Sequence, residues 1–478
     1  MESEAFHVQV LESSLIAPSS PTPRKGLWLS SLDIVQAWKG HVPTIYLYST
    51  PKDAAAAAAD GFFDVARLKE AMAKALVAFY PLAGRLGVND DEDGRVEIDC
   101  NDEGALFVVA RADELTADDV KGFKPSPELR RLFVPRIEPA SIILAIQVTF
   151  LKCGWVVLGT ALHHTAIDAA SAFHFFQTWS AFSKHGDDHA VVELPCHDRT
   201  LLRARSPPTV HPDALSTLYT NNKQVVTDDP SSGPISTEVF TISRDQVASL
   251  KRLCGGGTTS TFCAVSALVW QCTCAARRLP PDSEVRLVFP ADLRSRMRPP
   301  LPSKYFGNAA FRLRATGVAG AIGTMALGSI AARIKDAIKR MDDELVRSAI
   351  DYFETAKVDS NGRRPSLRGS STLPPTDLSI TSWLGMPQHD ADFGWGKPQL
   401  MSRAESRSGF VLLLSNEEKA DDGGGDSDGI RVLVCMEAAT IKELGRLIHA
   451  KLNQAAACGV APASKDVLLQ VPAGQESR

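Results

Sequence analysis

Short apolar runs separated by helical patterns recur along the chain and predict many strands interleaved with amphipathic helices. Phe6 to Leu11 reads as a strand, and Ser19-Ser20-Pro21-Thr22-Pro23 breaks it. Pro43-Thr44-Ile45-Tyr46-Leu47-Tyr48, rich in β-branched and aromatic residues, reads as a second strand. The alanine run 54–59 between Asp53 and Asp60 reads as a loop insertion. After Asp64, residues Leu68, Met72, Leu76 and Phe79 recur at helical spacing, predicting a helix that stops at Pro81. Strands are expected at 95–99, 106–110, 142–152 and 155–162, the last two joined at Cys153-Gly154 as a hairpin, with a helix over 169–183.

The stretch from Pro195 to Pro234 has little periodicity and several prolines, and reads as an interdomain linker. A second series follows: a strand near Thr237, a helix over 244–254, the Gly255-Gly256-Gly257 break and a long apolar helix over 261–277. Further strands are expected at 285–290, 378–383, 409–414 and 429–436, with helices over roughly 320–356 and 440–457. The acidic, glycine-rich 421–429 segment reads as a solvated hairpin tip. The expected division is a first domain at 1–194, a linker at 195–234, a second domain at 235–462 and a disordered tail at 463–478.

Composition narrows the function classes. The 478 residues are long for one core and favour two domains. There are 52 Lys+Arg against 56 Asp+Glu, a net charge of -4, which disfavours nucleic acid or an anionic bilayer as partner. Nine cysteines form no paired CxxC modules and several sit in apolar runs, so reduced thiols, no metal site and no disulfide framework are expected. The acidic start lacks the pattern of a signal peptide, and no run reaches the roughly 18 apolar residues of a span, so the cytoplasm is expected.

Two segments carry candidate chemistry. His163-His164-Thr165-Ala166-Ile167-Asp168 follows an apolar strand and precedes a helix, a place where reactive side chains are held rigidly. An imidazole there suits general-base work near neutral pH. Asp168 has two readings, a helix cap or a carboxylate that fixes the His164 tautomer. No Gly-x-Ser-x-Gly elbow accompanies the motif, so a covalent serine intermediate is not expected. The second segment is Asp392-Phe393-Gly394-Trp395-Gly396-Lys397-Pro398.

HHxxxD followed by DFGWGKP at this spacing resembles the signature pair of the plant BAHD acyl-CoA-dependent acyltransferases. Further phrases resemble the hydroxycinnamoyl-CoA shikimate/quinate hydroxycinnamoyltransferase branch: the 79–86 segment Phe-Tyr-Pro-Leu-Ala-Gly-Arg-Leu, the 198–205 segment, Tyr305-Phe306-Gly307-Asn308 and Ile380-Thr381-Ser382-Trp383. The resemblance implies a monomeric, two-domain α/β chloramphenicol-acetyltransferase-like fold of mixed sheets and helices. Its active-site channel lies at the domain interface, and acyl-CoA is a co-substrate with no metal or redox cofactor.

Residue by residue, the resemblance implies His164 as general base, and Trp383 and Thr381 as contacts to the reacting carbonyl and acceptor. Asp392 is implied as an architectural residue paired with Arg294, Arg296 remaining open, and Trp395 as packing under the channel. Ser260 and Thr261 after the glycine break either meet a CoA phosphate at a helix N-terminus or only cap that helix.

Thr44 and Tyr46 match the acceptor-pocket strand, and Arg368 matches an arginine that clamps an acceptor carboxylate, a task suited to a guanidinium fork. Arg363, Arg364 and Arg368 also fit a solvated loop. Four positions depart from the branch pattern: Val42 stands for a usual threonine and Gly385 for a usual arginine, which removes polar anchors, and Ala169 and Leu293 stand for usual glycines. Two acceptors therefore stand: a hydroxyl of shikimate or quinate, or an amine such as spermidine or putrescine, which Arg368 would repel.

Overall fold

The structure, a computed structural model, describes residues 6–50, 61–89, 95–186, 190, 192–213, 233–355, 373–416 and 429–458. Two six-stranded mixed sheets carry it. The first runs in the order β1 (Gln9–Ile16), β6 (Ala105–Ala112), β7 (Leu144–Leu151), β8 (Val156–His163), β3 (His41–Tyr48) and β13 (Leu400–Arg403). The second runs β11 (Ala310–Val318), β10 (Glu284–Asp292), β12 (Asp377–Ser382), β14 (Phe410–Asn416), β15 (Gly429–Glu437) and β9 (Ile235–Ile242). A small sheet of β2 (Lys25–Trp28), β5 (Arg95–Cys100) and β4 (Arg85–Asn89) flanks the first. This is the expected α/β architecture.

Local chemistry accounts for the elements that matter to the site. The β7–β8 hairpin forms where expected, and both strands are buried along nearly their whole length. That matches the continuous apolar reading of a strand covered on both faces. Helix Val65–Ala78 starts where Asp64 accepts from the Arg67 N–H. Helix Thr261–Ala276 is apolar almost all round and is buried almost all round, forming the centre of the second core.

The helices expected over roughly 320–356 do form, as Ala319–Thr324, Leu327–Lys339 and Asp343–Thr355, separated where Met325 turns extended and again near Asp342. Several other elements depart from the sequence expectation. Short helices Ala117–Gly122 and Pro127–Phe133 and the four-residue strand β13 carry too little periodicity to be read beforehand, whereas β11, absent from the expected strands, does alternate, burying Phe311, Leu313 and Ala315 between Arg312 and Arg314. β13 matters most. It lies late in the chain, yet it pairs antiparallel with β3, Arg403 opposite Thr44 and Met401 opposite Tyr46. The first sheet is thus completed by a segment from the second half.

The proline-rich stretch is not a plain linker over its first part. Cys196 bridges to Tyr305, and Arg199 within the 3-10 turn Arg199–Leu202 is almost completely buried. The remainder of that stretch, the alanine run, the glycine-rich tip and the C-terminal tail fall largely or wholly outside the described residues. The eight cysteines described in full are free thiols. No helix among the described residues is long and apolar enough to cross a membrane.

Candidate active site

A cavity of about 340 Å³ lies between the two sheets. β3 supplies Thr44 and Tyr46, the loop after β8 supplies His164, β12 supplies Thr381, and Trp383 follows it. With Asp168 and Arg294, which also border it, seven of the site residues read from sequence line one space. Trp383 packs edge-on against Phe173 at 5.7 Å, and Tyr46 lies 5.7 Å from Phe176, giving one wall an aromatic character. The Thr44 hydroxyl is hydrogen-bonded to that of Thr160 within the sheet.

His164 is half-buried, with its backbone N–H donating to the Gly40 carbonyl at 2.9 Å. Its Nε2 lies 3.1 Å from the Lys39 Nζ, whose own pKa is held well below the ordinary lysine value by burial and by Arg312, Arg403 and Arg407, and its Nδ1 has no hydrogen-bond partner among the described residues. Loss of water contact, reinforced by Lys39, Arg403 and Arg312, holds its pKa well below the ordinary histidine value. The imidazole is therefore neutral near pH 7, the state a base requires. His163 is different: it packs edge-on against His41 at 4.9 Å, and burial beside that ring lowers it to about 3. It does not line the cavity.

The loop bearing His164 is gripped from outside. Asn308 donates to the His164 carbonyl at 2.8 Å and to the Asp33 carboxylate at 2.9 Å. Arg199 donates to the Ala166 carbonyl at 2.7 Å and pairs with Asp33 at 3.1 Å, both side chains almost wholly excluded from water. Gly307 has φ +148, and a Cβ there would approach the Arg199 guanidinium at 3.3 Å, so glycine keeps this grip in place. Asp168 caps helix Ala169–His185 through the Ser171 N–H at 3.0 Å and accepts from the Ala309 N–H at 3.1 Å. It also meets Arg294 at 2.9 Å. Asp168 does not reach His164, so the tautomer-fixing reading gives way to the capping one, extended by an ion pair to the second half.

The sequence model of the Transferase family matches residues 6–446. The chain belongs to this family, the BAHD acyltransferases, and it is an acyltransferase. A putrescine hydroxycinnamoyltransferase 1 of Oryza sativa subsp. japonica is 41% identical over 93% of this chain and 99% of its own length. A shikimate O-hydroxycinnamoyltransferase of Nicotiana tabacum is 39% identical over 82% of this chain and 89% of its own. A hydroxycinnamoyl-CoA:5-hydroxyanthranilate N-hydroxycinnamoyltransferase of Avena sativa is 37% identical over 92% and 99%. Vinorine synthase shares the fold with TM-score 0.67 at 24% identity, covering 93% of this chain and 98% of its own. The F. graminearum protein TRI101 complexed with coenzyme A and deoxynivalenol shares it with TM-score 0.71 at 16% identity, over 88% and 97%.

In this acyltransferase the DFGWG segment stands away from the cavity. Asp392 accepts from Lys184 at 2.6 Å and from the Gly394 and Gly396 N–H groups, each at 2.9 Å. It is not paired with Arg294 or Arg296: Arg294 is taken by Asp168 and Asp292. Burial raises the Asp392 carboxyl, but Lys184 and the two N–H groups outweigh it and hold its pKa below the usual value. Trp395 packs on Phe63 at 5.3 Å and under the Arg67 guanidinium at 4.8 Å, rather than beneath the cavity. Phe393, fully buried, sits 4.6 Å from Trp179. The motif pins the chain to the first half just before it enters β13.

Ser260 caps helix Thr261–Ala276 through the Cys263 N–H at 3.2 Å, and neither Ser260 nor Thr261 lines this cavity. Arg368 lies outside the described residues. Sequence reasoning missed a basic group on the same cavity: Lys39, Arg312 and Arg407, gathered about Trp38, together with Arg403. The Arg403-Ala404-Glu405-Ser406-Arg407 run behind the second motif was the available signal.

Proposed function

We propose that this chain transfers a hydroxycinnamoyl group (p-coumaroyl, caffeoyl or feruloyl) from coenzyme A to a hydroxyl of a small acceptor such as shikimate or quinate. The observation that carries this reading is the neutral His164 on the wall of a cavity that Thr44, Tyr46, Thr381 and Trp383 also line. Nε2 takes the acceptor proton as the oxygen attacks the thioester carbonyl. A tetrahedral oxyanion forms, the C–S bond breaks, and the proton passes to the departing CoA thiolate. The indole N–H of Trp383 and the Thr381 hydroxyl face the developing charge, where one well-aimed donor is worth about 3–4 kcal/mol. The chemistry calls for no metal or redox cofactor, and the protein works as a cytoplasmic monomer.

A second reading has an amine acceptor, giving a phenolamide. The putrescine enzyme's 41% identity favours it, as does Val42, an apolar side chain on the cavity wall. Incubation with p-coumaroyl-CoA and shikimate, quinate, putrescine and spermidine separates the readings by product mass. An ester of shikimate or quinate is the expected product. Amides of the polyamines alone would replace the first reading with the second.

A further inference from the structure

The cavity wall beside His164 carries four basic side chains drawn from three separate stretches of the chain. Lys39 stands before β3, Arg312 on β11, Arg403 on β13 and Arg407 in the turn after it. Three of the heads converge on one indole: Arg312 lies 5.2 Å, Arg407 5.3 Å and Lys39 5.9 Å from the Trp38 ring. Arg407 also donates to the Lys39 carbonyl at 3.3 Å, and Arg403 to the Glu405 carbonyl at 3.1 Å. Glu405 offsets part of this charge, although its carboxylate is drawn to Arg130 at 2.7 Å. Asp292 and Asp168, the two carboxylates on the cavity, are bound to Arg294. Like charges gathered at a half-buried wall repel one another, and an anion entering among them relieves that repulsion.

Two anionic groups can reach this enzyme's active site: the phosphates of coenzyme A and an acid group on the acceptor. The position of Lys39 decides between them. Its Nζ lies 3.1 Å from Nε2 of the base, so it stands at the reaction centre itself. The phosphates of an acyl-CoA are held a full pantetheine arm away from the thioester under attack, and a hydroxycinnamoyl group is uncharged. Only the acceptor brings an anion this close to the base.

We propose that Lys39, Arg312, Arg403 and Arg407 form an anion subsite for the carboxylate of an acidic acceptor. This rests on the acyl-transfer reading and holds for a hydroxyl or an amine nucleophile alike. Guanidinium forks match a carboxylate bidentately and fix its orientation. As the carboxylate docks it draws the Lys39 ammonium toward itself and off Nε2, leaving that nitrogen to receive the acceptor proton. The cation wall also repels a polyamine, whose charge has the wrong sign.

The test is steady-state kinetics of the full chain with p-coumaroyl-CoA and an acceptor panel: shikimate, quinate and anthranilate, each beside its methyl ester, and spermidine. The wild-type protein is expected to use at least one acid about tenfold or more better in kcat/KM than its ester, the difference of one charged hydrogen bond. Arg403→Gln and Arg407→Gln should raise KM for that acid by a similar factor and leave KM for p-coumaroyl-CoA and for the esters unchanged. An equal rise in KM for p-coumaroyl-CoA would assign the cluster to CoA phosphate and overturn the proposal. Preference for spermidine or for the esters would overturn it while leaving acyl transfer intact. Release of CoA with no acceptor at all would remove the transfer reading and this subsite with it. The acid-against-ester comparison needs no variant, so misfolding of a substituted protein does not blunt the test.

Discussion

Asp168 and Arg294 meet at 2.9 Å, joining the end of the HHxxxD loop to the segment after β10. Both side chains are about nine-tenths excluded from water, and Arg294 also donates to the Tyr305 carbonyl at 3.2 Å. The pair is a clasp between the two halves of the molecule, placed within one loop of the base.

The clasp predicts coupling. Asp168→Asn and Arg294→Met should each lower kcat and thermal stability. A double-mutant cycle should return an interaction energy above about 1 kcal/mol. Additive losses would show that each residue acts alone.

The buried Arg199–Asp33 pair should be more sensitive still. Replacing either partner leaves the other as an uncompensated buried charge, which costs about 3–5 kcal/mol. Chemical denaturation of Arg199→Met and Asp33→Ala checks this, and a loss below about 1 kcal/mol for either would contradict the role assigned to the pair.

Much of the fold and of the site was legible in the sequence, for a physical reason. Strands such as β7 and β8 and the helix at Val65–Ala78 announce themselves through local periodicity, and His164 through its place between a strand and a helix. What stayed hidden depends on contacts between distant segments. β13 is four residues with no alternation, stabilised only by pairing with β3. The basic wall is assembled from three stretches, at Lys39, at Arg312 and at the Arg403 to Arg407 run, and no window of sequence brings the three together. The partner of Asp392 was misread for the same reason: a carboxylate's partner is set by tertiary approach, and here Lys184 on helix Ala169–His185 arrives first.

Asp392 anchors a turn rather than the chemistry. Asp392→Ala should cost about 1–2 kcal/mol, the range for a lost capping carboxylate, with KM for both substrates little changed. Because its pKa is depressed in the folded protein, its contribution is present above about pH 4 and is lost as pH falls through the lowered value. A kcat that collapses while thermal stability holds would give Asp392 a chemical role after all.

The pH profile reports on Lys39. Since burial and then Lys39 lower the His164 pKa, the acid limb of kcat/KM should lie below the ordinary histidine value of about 6.5. The imidazole is neutral and active above that limb, and activity is lost as pH falls through it. Lys39→Met removes a positive neighbour 3.1 Å away, so the limb should move to higher pH. Arg312 and Arg403 remain and keep part of the shift. A limb that stays put or moves down would show that Lys39 does not act on the base.

The central claim is that His164 is the general base of acyl transfer, and His164→Ala tests it most directly. With p-coumaroyl-CoA and the acceptor that the wild-type protein uses, turnover should fall by roughly 10²–10⁴, with the fold and acyl-CoA binding retained. Near-wild-type thioester turnover by the alanine variant would contradict the account.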